Sequence, residues 1–148
     1  MSNPIMNQNS MRTVYDTSLI QFPKVLDPRG NLTFIEQERH IPFKISRVYW
    51  IYDVPGGEQR GGHAFREQEE CIIALSGSFD VLLDDGTVQK IVHLNRAYHG
   101  LYVPRMIWRR MQNFSTNAVA YVLAGCPYDE SDYVRDFDEY KALMREGK

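Results

Sequence analysis

Residues 60–86 read RGGHAFREQEECIIALSGSFDVLLDDG, and this stretch decides the fold class. In its second half, two apolar-rich runs, Cys71 to Leu75 and Phe79 to Leu83, flank Ser76-Gly77-Ser78 and read as a β-hairpin. Asp84-Asp85-Gly86 then supplies turn residues that tolerate positive φ. The first half gathers Arg60, His63, Arg66 and the carboxylates of Glu67, Glu69 and Glu70 within a dozen positions. Strands of a rigid sheet can hold such groups in the fixed geometry that binding and catalysis need.

Upstream, residues 1–12 are polar and Asn-rich, with Pro4 and no apolar period, and read as a flexible N-terminal arm. Residues 13–148 then form one domain. Thr13 to Phe22 reads as a first strand, Asp27 to Asn31 as a dense turn, and Leu32 to Glu36 as a second strand. Ile45 to Val54 is rich in β-branched and aromatic residues, which predicts a central strand ended by Pro55-Gly56-Gly57. Downstream, Thr87 to Leu94 completes the hairpin, and Gly100 to Val103, Ile107 to Met111 and Ala118 to Ala124 are further short strands. Many short strands between turn residues point to an all-β jelly roll or barrel. The end differs: Tyr133, Phe137, Tyr140 and Met144 recur at helical spacing, with N-cap candidates from Asp129 to Asp132. A C-terminal helix on the barrel is expected.

The chain has 148 residues, one domain's worth, and 43% are hydrophobic, enough for a real core. A net charge of −2 argues against nucleic acid as a partner. No apolar run of about 18 residues exists to span a membrane, and the N-terminus lacks the apolar stretch of a secretory signal. Cys71 and Cys126 lack CxxC spacing, so two buried thiols in a reducing cytoplasm are expected.

The organising stretch partly fits the metal-binding pattern of cupin barrels, His-x-His followed by Glu and then Gly. His63, Glu70 and Gly77 stand at matching positions, but Phe65 occupies the place of the second histidine. A transition metal wants three or four protein ligands, and two are offered here. The sequence therefore predicts a cupin-type barrel with no metal and no other cofactor.

Several motifs share one resemblance: Arg60 to Arg66, Leu75-Ser-Gly-Ser, Leu83-Asp-Asp-Gly, Gly100-Leu-Tyr-Val, Ile107-Trp-Arg and Tyr128-Asp-Glu-Ser-Asp-Tyr-Val-Arg. Together they resemble the sugar-nucleotide 3,4-ketoisomerases (WxcM-like, metal-free cupins), with the motifs in order from about Asp27 to Leu143. The resemblance implies a double-stranded β-helix, a homodimer joined through the N-terminal strand and arm, and a dTDP-linked ketosugar as substrate. It also implies proton transfer through an enediol, which needs a base and a donor for the developing oxyanion.

Within that frame His63 is the expected base, with Glu70 and His99 as further candidates for proton transfer and Tyr49 as a hydroxyl donor. The family's second motif histidine is replaced by Phe65, which can stack but cannot carry a proton. Arg29, Arg47, Arg60 and Arg109 are expected to bind substrate, since arginine forks suit pyrophosphate oxygens. Tyr102 can donate to a sugar oxygen, while His99 has the alternative of a solvated loop position. Two other functions stay open. One is a module that binds a nucleotide-sugar without turning it over, and the other is a related epimerase.

Overall fold

The computed structural model describes residues 12–147; the expected arm, apart from Arg12, lies outside the described residues. Two five-stranded antiparallel sheets face each other. The first has the order β1 (Ser18–Gln21), β9 (His99–Val103), β6 (Glu70–Ser76), β11 (Val119–Ala124), β4 (Arg47–Ile51). The second runs β12 (Tyr133–Val134), β5 (Arg60–Phe65), β10 (Trp108–Gln112), β7 (Phe79–Asp84), β8 (Gln89–Leu94). A small hairpin of β2 (Lys24–Val25) and β3 (Leu32–Thr33) stands apart. This is the jelly-roll barrel expected from the sequence, and the C-terminal helix α1 (Phe137–Glu146) is present.

Strand alternation sorts the side chains into three layers. Ile72, Val81, Leu101, Val122 and their neighbours meet between the sheets. On the outside of the first sheet, Cys71, Ile73 and Leu123 pack beneath Phe22, Ile41 and Phe43 of the incoming chain. On the outside of the second, Ala64 and Trp108 lie under Tyr140 and Met144 of α1. The Tyr140 hydroxyl ties the helix down by donating to the carbonyls of Asp84 and Met106 at 3.0 and 2.9 Å.

Local pattern and tertiary pairing disagree in several places. The runs around Ser76-Gly77-Ser78 do not pair with each other. β6 pairs with β9 and β11 in one sheet, whereas β7 pairs with β10 and β8 in the other. The link is a corner between sheets, made possible by Gly77 at φ +66°, where a Cβ would lie 2.8 Å from Ala118 Cα. The hairpin in this stretch is β7–β8, closed by Asp85, whose Oδ1 accepts from the backbone of Thr87 and Val88.

The predicted first strand is shortened because Thr13 caps a 3-10 turn, Val14–Asp16, before β1 begins. The second is reduced to Leu32–Thr33. β4 is an edge strand rather than a central one, and its outer face exposes Val48 and Trp50. Tyr133 belongs to β12, not to the helix. Asp129 caps the short turn Glu130–Asp132, while Asp136 caps α1 by accepting from the Glu139 amide at 2.8 Å. Both cysteines are free, and only Cys71 is buried; Cys126 is half-buried just beyond β11. No helix among the described residues is long and apolar enough to cross a membrane.

Candidate functional site

At one end of the barrel the apolar filling gives way to a cluster of buried polar groups. Glu70 stands two residues before Ile72 on the inner face of β6, and Arg47 two before Tyr49 on β4. Across the barrel, Arg109 on β10 pairs in register with His63 on β5. Partners on an antiparallel ladder share a face, so His63, Phe65 and Arg109 all look inward. Between Arg60 and His63 the ladder slips by one residue, with Gly61 at φ +77°. That bulge sets Arg60 opposite Met111, at the exposed end of the strand.

Glu70 is the hub. Its Oε1 accepts from Arg109 Nη1 at 2.6 Å, and its Oε2 accepts a short hydrogen bond from the Tyr49 hydroxyl. Burial raises the Glu70 pKa, while Arg109, Tyr49, Arg47 and Gln68 pull the other way. Burial and the Glu70 charge together raise Tyr49, which stays a phenol. Arg109 is 1% exposed; its Nε donates to the Ile107 carbonyl at 3.2 Å, and its Nη2 has no hydrogen-bond partner. Arg47 donates to Gln68 Oε1 at 3.1 Å and to the Tyr133 hydroxyl at 3.3 Å, leaving its Nε unpartnered.

His63 is buried beside this hub, and its Nε2 also lacks a partner. Burial first, then the positive charges of Arg109, Arg135 and Arg47, lower its pKa to about 3. The imidazole is therefore neutral at physiological pH, with a lone pair to offer. Phe65, fully buried, lies edge-on to His63 at 4.8 Å, and the Arg109 guanidinium sits 5.0 Å from its ring centre. Neutral imidazole, fixed guanidinium and carboxylate-held phenol are the equipment for moving a proton next to a carbonyl while an oxyanion forms.

The expected site residues separate into two groups. His63, Glu70, Tyr49, Arg47, Phe65 and Arg109 come together. His99, Tyr102 and Arg29 do not, nor does Arg60, at the opposite end of β5 from Phe65. His99 opens β9 half-buried, edge-on to Tyr98 at 4.6 Å, rather than lying in a loop before the strand. Val103, the partner of Glu70, lies four residues further along, which puts His99 about 13 Å away along the strand. Tyr102 faces the opposite side of the sheet, where its hydroxyl bonds to Glu69. Arg29 sits on the turn between β2 and β3, its side chain 89% exposed and forked onto Asp27 at 2.8 Å.

Sequence reasoning missed Gln68 and the segment from Tyr128 to Arg135. Gln68 is 1% exposed and braces Arg47. Asp132 accepts from the amides of Glu67 and Gln68, which straps the segment across the β5–β6 turn. Tyr133 then lies over Phe65 at 4.5 Å and His63 at 5.1 Å, with Arg135 on its outer face at 4.2 Å. The signal is present in Tyr128-Asp-Glu-Ser-Asp-Tyr-Val-Arg, but Tyr133 also stands at helical spacing from Phe137, Tyr140 and Met144, which hides its place in a strand. Among the described residues no three His, Cys, Asp or Glu side chains converge in a way that could hold a metal ion. A wide groove of about 600 Å³ lies elsewhere, on the outer face around Trp50, Leu75 and Tyr121.

Residues 15–145 match the family model described as FdtA: WxcM-like, C-terminal. A TDP-4-oxo-6-deoxy-alpha-D-glucose-3,4-oxoisomerase of Aneurinibacillus thermoaerophilus is 43% identical over 129 residues, covering 87% of this chain and 93% of its own. Among solved structures, the sugar 3,4-ketoisomerase QdtA of Thermoanaerobacterium thermosaccharolyticum, in complex with TDP, is 37% identical with a TM-score of 0.88. That match covers 90% of this chain and 98% of QdtA. A 3,4-ketoisomerase from Helicobacter canadensis is 39% identical with a TM-score of 0.86, covering 88% and 98%.

Proposed function

This chain belongs to the FdtA, WxcM-like C-terminal family, and on that premise we propose that it is a sugar-nucleotide 3,4-ketoisomerase acting on a dTDP-4-keto-6-deoxyhexose. The observation that carries the reading is the pairing of two unpartnered buried nitrogens, His63 Nε2 and Arg109 Nη2, on register partners at the barrel end. One can accept a proton and the other can hold a negative oxygen.

In this mechanism His63 removes the hydrogen from C3 of the sugar. Charge moves onto the C4 oxygen, which Arg109 stabilises as a fixed cation in a dry site. Arg109 is itself fixed by Glu70, which also holds Tyr49 at the same wall. A proton returns at C4 and leaves the carbonyl at C3. A base works best with a pKa near the working pH, and His63 in the free protein lies far below it. A pyrophosphate-bearing ligand brings negative charge that offsets Arg47 and Arg135 and raises the imidazole toward that range. Arg47 is the arginine at this end suited to the nucleotide phosphates.

Residues 13–148 act as one domain in this reading, in the cytoplasm and as a homodimer. Support for self-association comes from the exposed apolar side chains of Leu19 on β1 and of Val25, Leu26 and Leu32 around the β2–β3 hairpin. A monomer in sedimentation at micromolar concentration would remove that part.

A second reading is favoured by Phe65 standing where the family carries a histidine: a module that binds the nucleotide-sugar without turnover. Proton NMR of dTDP-4-keto-6-deoxyglucose in D₂O with the protein separates the two. A new 3-keto product supports the isomerase, and binding without exchange supports the module. Exchange or inversion at C5 alone would identify an epimerase instead. His63→Asn should lower isomerisation by about 10² to 10⁴.

A further inference from the structure

The following rests on the ketoisomerase reading. The turn from β5 into β6 carries Glu67-Gln68-Glu69-Glu70, three carboxylates with one uncharged position among them. Glu67 is largely exposed, Glu69 accepts from Tyr102 on the outside of the sheet, and Glu70 holds Arg109 and Tyr49. Gln68 is the member that touches Arg47, with its Oε1 accepting from Nη2 at 3.1 Å. A guanidinium can only donate, so the amide oxygen must face it and Nε2 is turned away. There the amide favours the charged form of Glu70, but Nε2 closes no hydrogen bond. The side chain is 1% exposed, and the Gln68 backbone amide is pinned by Asp132 at 3.2 Å. The brace on Arg47 is therefore fixed.

Three arginines place positive charge on His63: Arg109, Arg135 and Arg47. Arg109 is paired with Glu70, and Arg135 is forked onto Glu130 at 2.7 and 3.0 Å. Arg47 differs, because both its hydrogen-bond partners, Gln68 and the Tyr133 hydroxyl, are neutral. Its charge is held in place without being cancelled, and its Nε is a buried donor with no partner. A carboxylate of the same length at position 68 would take that guanidinium in a charge-assisted bond and neutralise it inside the protein.

We propose that Gln68 is a positioning residue for substrate binding, which aims Arg47 at the diphosphate of the sugar nucleotide while leaving the guanidinium's charge free to meet it. The amide at this one position of an acidic turn then sets the affinity for an anionic ligand. The donors left over, Arg47 Nε and Gln68 Nε2, are matched by a ligand rich in oxygen acceptors. Gln68 acts through Arg47 and not at the sugar carbons, so its effect falls on binding more than on turnover.

The test titrates TDP into the full chain by calorimetry at neutral pH over a series of salt concentrations. Gln68→Glu differs from the wild type by one charge and should raise the Kd for TDP roughly 10- to 100-fold. Its Kd should also climb less steeply with added salt, because one cation no longer meets the phosphates. Gln68→Met removes the brace without adding charge and should raise the Kd by a smaller factor, roughly 3- to 10-fold. With dTDP-4-keto-6-deoxyglucose as substrate, KM should rise in both variants by more than kcat falls. A Gln68→Glu protein that binds TDP as tightly as the wild type overturns the proposal and leaves the ketoisomerase reading intact. So does a weaker affinity whose salt dependence is undiminished, which would mark a structural defect only. Wild type that fails to bind TDP overturns both. If Gln68→Glu does not fold, an unchanged TDP affinity in Gln68→Met overturns the brace.

Discussion

Arg109 Nη1 lies 2.6 Å from Glu70 Oε1, and each side chain is only 1% exposed. Such a pair is held less by its own attraction than by the cost of leaving either charge alone in the interior. Arg109→Met should therefore destabilise the protein by about 3–5 kcal/mol at pH 7. The deficit should shrink as pH falls, because the abandoned Glu70, its pKa raised by burial, takes up a proton. Arg109→Met with Glu70→Gln should cost clearly less than the sum of the single changes. Urea unfolding of the four proteins measures this, and strict additivity would mean that the pair is not coupled.

His63 makes stability depend on pH in a definite direction. Its folded pKa of about 3 lies below the unfolded value near 6.5, so the unfolded chain takes up a proton first as pH falls. The favourable contribution is complete above about pH 7 and is lost progressively from pH 6.5 down towards 3. Between pH 7 and pH 5 the loss from this one group should be about 2 kcal/mol. Comparing urea midpoints of wild type and His63→Asn across that interval isolates the term. Parallel pH curves for the two proteins would contradict it.

Phe65→His restores the family's pair of imidazoles, yet the surroundings of Phe65 are apolar and cationic. A ring placed there sits fully buried, with the Arg109 guanidinium at the 5.0 Å seen for phenyl. The new nitrogens need partners the site was not shaped to give, so the variant should lose about 1–3 kcal/mol. On the proposed reading, in which His63 is the base, isomerisation should not accelerate. Thermal melting and initial rates check the two halves separately, and a large rise in rate would restore the two-histidine mechanism.

Gly77 tests the corner between the sheets. A methyl group there would lie 2.5 Å from Ser115 Oγ and 2.8 Å from Ala118 Cα, on a backbone at φ +66°. Strain and overpacking together should cost roughly 2–4 kcal/mol in Gly77→Ala. The expected result is a lower urea midpoint, because β6 and β7 can no longer part cleanly into different sheets. An unchanged midpoint would mean that the corner relaxes freely.

The sequence by itself determined the class of the fold, the run of short strands, the C-terminal helix, and the stretch on which the site is built. Those features are local: alternation, turn residues and helical spacing are written in neighbouring positions. Strand identity at Phe79 and its neighbours was readable for that reason, and so was the closeness of His63, Glu70 and Phe65 along one stretch of chain. Pairing partners were not readable, because apolar runs such as 71–75 and 79–83 are compatible with many neighbours. Only the closed barrel decided that β6 and β7 lie in opposite sheets, and that β4 is an edge. Facing followed from that choice. Tyr102 and Val103 are adjacent in sequence, yet Val103 packs inside the barrel and Tyr102 outside it. Tyr133 shows the same limit, since its spacing suited a helix. The carboxylate of Asp132, accepting two amides at the β5–β6 turn, holds the chain extended instead and lays that ring over His63.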